Sequence, residues 1–498
     1  MSLSFKYIPL TFLNDVKIIK EQIKNTVILR YLFDQYGDFS KLEKLIIGTQ
    51  YGYNASALQS GKNKFLRISD ITDGKVDWDT VPYCDCSDED TYLLDKNDLL
   101  IARTGGTTGK SFKIDNPPEK AIFAGYLIRI RANKQNDPDF LNLFLNSYVY
   151  WSQVVSLNKG EFRPSVNATK LKNLIVPKID IEVQRNAVKV SKGFSVDGFG
   201  ELESNITKAL EDFEKSQEII KQLRCQENNV ELIKQSILQE AIQGKLTADW
   251  REQNTSIEPA SELLERIKAE KAQLIKAKKI KKEKAHPLIT EEEIPFEIPS
   301  NWVWCRLGVI TTYGSSEKID SQQIKPDTWV LDLVDIEKES SKILQFKTFS
   351  ERPSLSTKSV FKKGWVLYSK LRPYLDKVVV VPKDGVCTTE ILPLPVYSNL
   401  TANYFLYTLK GKHFLSYVNS KVGGMKMPRL GTDDGKMALI PIAPVEEQKA
   451  IVEKVETLMQ KCQALEEEIK TSEANAQMLM QAVLKEAFEG KKEEVCQD

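Results

Sequence analysis

The chain has 498 residues, 41% of them hydrophobic, which is too long for one core and too apolar for wholesale disorder; two or more domains are expected. Its 70 basic and 69 acidic residues leave a net charge of +1, so a nucleic-acid role needs locally concentrated charge. No apolar run reaches the roughly 18 residues of a membrane span. The opening Met1-Ser-Leu-Ser-Phe-Lys has no signal-peptide pattern. Seven scattered cysteines and two histidines give no zinc set, and a reducing cytoplasm is the expected compartment.

A first strand-rich arm runs to about residue 178, its residues 1–40 forming an atypical leader. Lys64-Phe-Leu-Arg-Ile-Ser, Asp98-Leu-Leu-Ile-Ala and Ala124-Gly-Tyr-Leu-Ile-Arg-Ile-Arg131 are short apolar runs bounded by turn residues, and read as strands. A helix-like stretch, Phe140–Val155, closes the arm. Thr104-Gly-Gly-Thr-Thr-Gly109-Lys110-Ser111 is similar to a P-loop. Its first glycine is misplaced, however, and Pro117-Pro118 follows where the anion-binding helix should run, so a turn between strands is expected. Asn116-Pro-Pro-Glu119 has the start of the tetrapeptide of DNA amino-methyltransferases, but Glu119 replaces the aromatic that stacks on a flipped base. No carboxylate spacing singles out a metal or acid–base pair.

Leu-Ile-Val-Pro177 through Gln184 to Val188 then introduces a helical stretch over 179–250. Its stripe is Leu202, Ile206, Phe213, Ile220, Leu223, Val230, Ile233 and Ile237, and Gly244 stops it. A lysine-rich helical linker (251–300) carries Lys276, Lys278, Lys279, Lys281, Lys282 and Lys284, a run that reads as a solvated helix face or a mobile linker, with phosphate binding as the alternative. A second strand-rich arm (301–443) contains Trp329-Val-Leu, Trp365-Val-Leu-Tyr-Ser and Lys377-Val-Val-Val-Val381, and ends in a helix-like stretch, Ala402–Val418. A C-terminal helix (444–498) follows. Ile451, Val455, Leu458, Cys462, Leu465, Ile469, Ser472, Ala476, Leu479 and Val483 form its a/d seam, and Gly490 ends it.

The chain thus contains itself twice. Pro177 and Pro441, Gln184 and Gln448, and Val188 and Val452 match at an offset of 264 residues; Glu240 to Lys245 and Glu486 to Lys491 match at 246. The first copy is longer between glutamine and glycine by 18 residues, placed near Gly193-Phe-Ser-Val-Asp-Gly198-Phe-Gly200, so the long helices should start near Gly200 and Glu446. The expected fold is α+β: two strand-rich arms separated by two long helices that pair as an antiparallel coiled-coil spacer, with a pseudo-two-fold repeat.

Ser236-Ile-Leu-Gln-Glu-Ala-Ile-Gln-Gly244-Lys-Leu-Thr-Ala-Asp-Trp-Arg251 and Glu297-Ile-Pro-Ser-Asn-Trp302-Val-Trp304-Cys-Arg-Leu307-Gly308 resemble segments of one family, the specificity subunits of type I restriction–modification systems. Leu371-Arg-Pro-Tyr-Leu-Asp-Lys377-Val and Ile101-Ala-Arg-Thr-Gly-Gly-Thr-Thr-Gly109-Lys are similar to alternative motifs of its recognition domains. The resemblance implies two target-recognition domains on double-stranded DNA, each reading half of a bipartite gapped site. The helices would serve as spacer and dock for two adenine-N6 methyltransferase (modification) subunits, joined by restriction subunits. The chain itself would be no enzyme, would hold no catalytic residue, metal or cofactor, and would touch no membrane. S-adenosylmethionine, ATP and Mg would belong to the partners.

Candidate DNA contacts lie in polar, Gly-containing or basic loops at strand ends, because Gln can read adenine and Arg guanine in the major groove. In the first arm they are Gln50, Tyr51, Tyr53, Arg103, Lys159 and Arg163; in the second, Tyr313, Lys318, Lys370, Arg372, Lys426 and Arg429. The alternative is that the glycines and tyrosines of these loops serve turn geometry and packing, and that Arg372, before Pro373, is a buried structural arginine. Aligning Leu100 with Leu367 sets Arg103 opposite Lys370. Two other classes stay open. A self-sufficient DNA methyltransferase would bind S-adenosylmethionine on the isolated chain. A helical scaffold would read no sequence.

Overall fold

The computed structural model describes residues 15–72, 74–158, 165–422 and 426–490. They form two compact units, one made of the described residues up to Leu223 together with those from Ser472 onward, the other Arg224–Thr471. Two long helices, Gly200–Ile242 and Val445–Glu489, contribute to both.

In the first unit the helix Val16–Tyr36 is a core element. Asp15 caps its start, Gly37 at φ 63° ends it, and Ile19, Ile23, Val27, Ile28, Leu29 and Leu32 are buried, nearly all the way round the helix between Asn25 and Leu29. Two polar residues of the same helix fix its partners: Asn25 Nδ2 donates to Asn146 O (2.8 Å), and the Tyr148 N–H donates to Thr26 Oγ1 (2.8 Å). A four-stranded antiparallel sheet follows, in the order Ile46–Tyr51, Leu127–Ala132, Leu99–Ala102, Ser111–Lys113. A second sheet pairs Asn63–Leu66 in parallel with Ala121–Phe123. The glycine-rich run after Arg103 is a turn, and the strand Ser111–Lys113 follows it where a P-loop needs a helix.

The second unit repeats this wiring at the level of single hydrogen bonds. Trp329–Leu331 pairs in parallel with Gly385–Cys387, as Asn63–Leu66 does with Ala121–Phe123. Val366–Ser369 lies between Val378–Val380 and Ile391–Leu394, as Leu99–Ala102 lies between its two neighbours. The Leu127 N–H donates to Ala124 O (2.9 Å), and the Ile391 N–H to Thr388 O (3.0 Å). The strands Phe39–Lys41 with Ile175–Pro177, and Val303–Arg306 with Leu439–Ile442, close the two arms. The matched glutamines are fully buried and do the same work twice. Gln184 Oε1 accepts from the Asp137 N–H and Gln448 Oε1 from the Thr401 N–H (2.8 Å each), so each holds the start of a helix, Pro138–Leu145 or Ala402–Lys410. A buried backbone donor left unmet costs roughly 1–3 kcal/mol, which accounts for an amide at both places.

Within each unit the long helices run antiparallel. In the second, Lys234 pairs with Glu466 while Thr247, further on, bonds Glu447. In the first, Gln217 meets Met480, while Glu201 and Asn205 share a cleft with Glu486 and Gly490. Gly244 (φ 70°) and Gly490 (φ 86°) both take the left-handed stop conformation. A Cβ there would also collide with Pro299 and Arg30, at 2.6 and 2.2 Å. The seam is narrower than the a/d pattern predicts. Val455, Cys462, Ile469 and Ala476, seven apart, are buried, but Leu465, Leu479 and Ile233 are about half exposed and stand outside it. The extra length of the first copy is a break: Ile181–Ser191 is a separate helix, and Gly193 and Gly198, at φ 88° and 83°, turn the chain before Gly200. In the second copy, Gln448 lies in the first turn of the long helix itself.

His413 gives the second unit a defined acid sensitivity. Its ring lies against Phe296 and Trp304, at 5.3 and 5.8 Å, and burial pushes its pKa down to about 4. The unfolded chain takes up this proton near pH 6.5, so stability is complete above that pH and declines as the pH falls toward 4. Between pH 7 and pH 5 the expected loss is about 2 kcal/mol. Urea midpoints at the two pH values should show it, and His413→Phe should flatten the difference; an unchanged difference in the variant would rule the assignment out.

Candidate nucleic-acid interface

One end of the four-stranded sheet in the first unit gathers three exposed side chains. Tyr51 ends its strand; Arg103 follows Leu99–Ala102, and its guanidinium lies 4.9 Å from the centre of the Tyr51 ring. The Arg103 backbone is pinned on both sides. Its N–H donates to Tyr126 O (2.9 Å) and its O accepts from the Val166 N–H (2.9 Å). Tyr51 is held too, since its hydroxyl accepts from the Ala168 N–H (3.1 Å). Among the described residues Arg103 has no carboxylate partner, and Tyr126 is 67% exposed. The result is an arginine over an aromatic ring, with no side-chain hydrogen bond of its own among the described residues.

The equivalent end of the second unit uses the same backbone bonds and different side chains. The Lys370 N–H donates to Glu390 O, and Lys370 O accepts from the Leu430 N–H (3.0 Å each). Lys370 therefore stands where Arg103 stands, as the alignment of Leu100 with Leu367 predicts, and Glu390 stands where Tyr126 stands. Glu390 is paired with Arg429 at 3.1 Å. Lys318 reaches Ser359 Oγ at 2.7 Å; burial, and next to it the Lys370 charge, hold its amine below the usual value. Arg372 is exposed and left-handed at φ 47°, a costly backbone for an arginine, and its N–H donates to Pro428 O (2.8 Å). Lys426 is exposed on the same loop as Pro428.

Not every expected residue is available. Tyr313 is fully buried: its ring lies 6.3 Å from that of Tyr368, and Gly435 passes so close that a Cβ would lie 2.1 Å from Tyr313 Cε1. It is a core residue, not a DNA contact. Tyr53 is half-buried with its ring 5.3 Å from that of Tyr92, a packing role. Gln50 is half-buried and donates to Tyr51 O at 3.0 Å. Lys159 and Arg163 lie outside the described residues. Tyr126 and Glu390 escape the sequence reading, although they are related by the same 264-residue offset as the matched prolines.

Among the described residues no group of His, Cys, Asp and Glu could hold a metal ion, and no helix is long and apolar enough to cross a membrane. The family described as "Type I restriction modification DNA specificity domain" matches residues 37–224 and 300–472, well over half of the chain. The chain belongs to this family. The two matched stretches each contain one arm and part of a long helix, so the type I specificity family and the internal repeat divide the chain alike. Among curated relatives, the EcoAI specificity subunit of Escherichia coli is 31% identical over 280 residues, 54% of this chain and 46% of the relative. The EcoDI subunit of the same organism is 28% identical over 257 residues, 52% of each. The chain spans about half the length of the curated relatives it matches. Among solved structures, the HsdS subunit of Thermoanaerobacter tengcongensis is 17% identical with a TM-score of 0.44, over 91% of this chain and 96% of that one. A chain from a study of type I R-M complex assembly and conformational transition is 18% identical with a TM-score of 0.49, covering 91% and 97%.

Proposed function

We propose that the chain is the DNA-specificity subunit of a type I restriction–modification complex, and that it reads a bipartite gapped site, one half with each arm. The observation that carries this reading is the pair of equivalent strand ends. One backbone frame presents Arg103 on Tyr51 in the first arm, and Lys370, Arg372 and Arg429 in the second. A shared frame with different polar side chains is what two different half-sites require, because base edges are told apart by donors and acceptors while phosphate contacts set only register. Lys318 and Lys426 fit the phosphate role. On this reading the arms are 1–178 and 301–443, with 179–250 and 444–498 as spacer and 251–300 as linker. The exposed apolar residues of the long helices, Leu465 in one unit and Leu479 in the other, support docking of two methyltransferase subunits. Restriction subunits join that core in the cytoplasm. S-adenosylmethionine, ATP and Mg act in the partners, and this chain catalyses nothing.

A selection tests the reading: the full chain with an adenine methyltransferase subunit is offered a randomised duplex library. Enrichment of one gapped motif is expected. A sequence-blind scaffold would enrich none, and a self-sufficient methyltransferase would bind S-adenosylmethionine with the chain alone.

A further inference from the structure

The strand end of the second arm carries a carboxylate where a DNA-facing surface should repel one. Glu390 lies in the turn between Gly385–Cys387 and Ile391–Leu394; its backbone oxygen accepts from the Lys370 N–H, the place Tyr126 fills in the first arm. Its side chain is 26% exposed and that of Arg429 is 47% exposed. Arg429 uses only Nε on the two carboxylate oxygens, at 3.3 and 3.1 Å, and its terminal nitrogens make no hydrogen bond among the described residues. An exposed pair of this kind adds little to stability, about 0–1 kcal/mol, so folding alone gives little reason for an acid among Lys318, Lys370, Arg372 and Arg429.

Resting on the function proposed above, we infer that Glu390 is a specificity-determining residue of the second arm: it accepts a hydrogen bond from the exocyclic amino group of a cytosine or an adenine, with Arg429 orienting it. A carboxylate only accepts, and in the major groove only cytosine N4 and adenine N6 donate. Guanine would set O6 and N7, two acceptors, against the carboxylate, and thymine would offer O4 and a methyl group, so both are rejected. Arg429 cancels the charge that would otherwise face the phosphates, and its free terminal nitrogens remain able to donate to the duplex. Tyr126 offers a ring and a hydroxyl at the same place, so the two arms make different demands of the base beneath this turn.

The test is the same selection run on wild type, Glu390→Ala and Glu390→Gln, with an unfolding curve for each to show that the arm is intact. Glu390→Ala should relax one position of one half-site, lowering discrimination there about five- to 150-fold, while the other positions keep their preferences. Glu390→Gln, which adds a donor beside the acceptor, should move that position toward adenine. A wild type that enriches no motif overturns the underlying reading, and this inference with it. A wild type that enriches one, while Glu390→Ala leaves every position unchanged or weakens all sequences alike, overturns this inference alone.

Discussion

Replacing Glu447 with alanine should destabilise the second unit by about 3–5 kcal/mol, the range for removing one partner of a buried ion pair. Glu447 is fully buried at the start of the second long helix and collects three donors: Thr247 Oγ1 and Trp302 Nε1 at 2.8 Å each, and the Arg251 guanidinium. Arg251 also donates to Gly244 O (2.9 Å), which joins the stop of the first long helix to the start of the second. Alanine would strand a part-buried guanidinium and a buried indole N–H together, whereas Glu447→Gln keeps the shape and should lose less. Urea unfolding gives the magnitude, and hydrogen exchange at Thr247–Arg251 and Val303–Arg306 gives the location. A loss under about 1 kcal/mol would mean that these donors find water, and that the latch does not hold the helix ends.

Arg103→Ala should be the most damaging single change to recognition by the first arm. Arg103 is pinned through both backbone groups and rests on Tyr51, so little side-chain freedom remains to be lost on binding. A bidentate arginine–guanine pair is worth about 1–3 kcal/mol, so the preferred duplex should bind roughly five- to 150-fold more weakly and one position should relax. Tyr51→Ala leaves the guanidinium but removes its platform, and should cost less, about 0.5–1 kcal/mol. Arg103→Lys should not rescue, because a point charge cannot replace a planar fork. Quantitative binding to the selected duplex and to its single-position variants checks each of these. A uniform loss with a flatter salt slope would make Arg103 a phosphate contact instead.

The repeat was legible because it rests on residues with one physical job. Pro177 and Pro441 lie in the closing strand of each arm, Gln184 and Gln448 satisfy buried backbone donors, and Gly244 and Gly490 adopt a backbone few other residues tolerate. The equivalence of Arg103 and Lys370 could be found for the same reason, since buried strands precede both. Burial of Tyr313 could not be found. Thr312-Tyr-Gly314 has the composition of a surface turn, and only the close passage of Gly435 makes the tyrosine a core residue. The seam is narrower than its pattern for a related reason: an a/d pattern records which residues are apolar, and Leu465 and Leu479 are apolar without being covered. Tyr126 and Glu390 carry no local signature, because their importance comes from a backbone carbonyl that accepts from a distant strand end.

On the proposed function, each arm reads its own half of the site. Parallel selections on wild type, Arg103→Ala and Arg429→Ala, each from one randomised library, test it most directly. Arg103→Ala should alter one half-site and leave the other as in wild type, and Arg429→Ala should do the reverse. Equal changes in both half-sites from either substitution would contradict it.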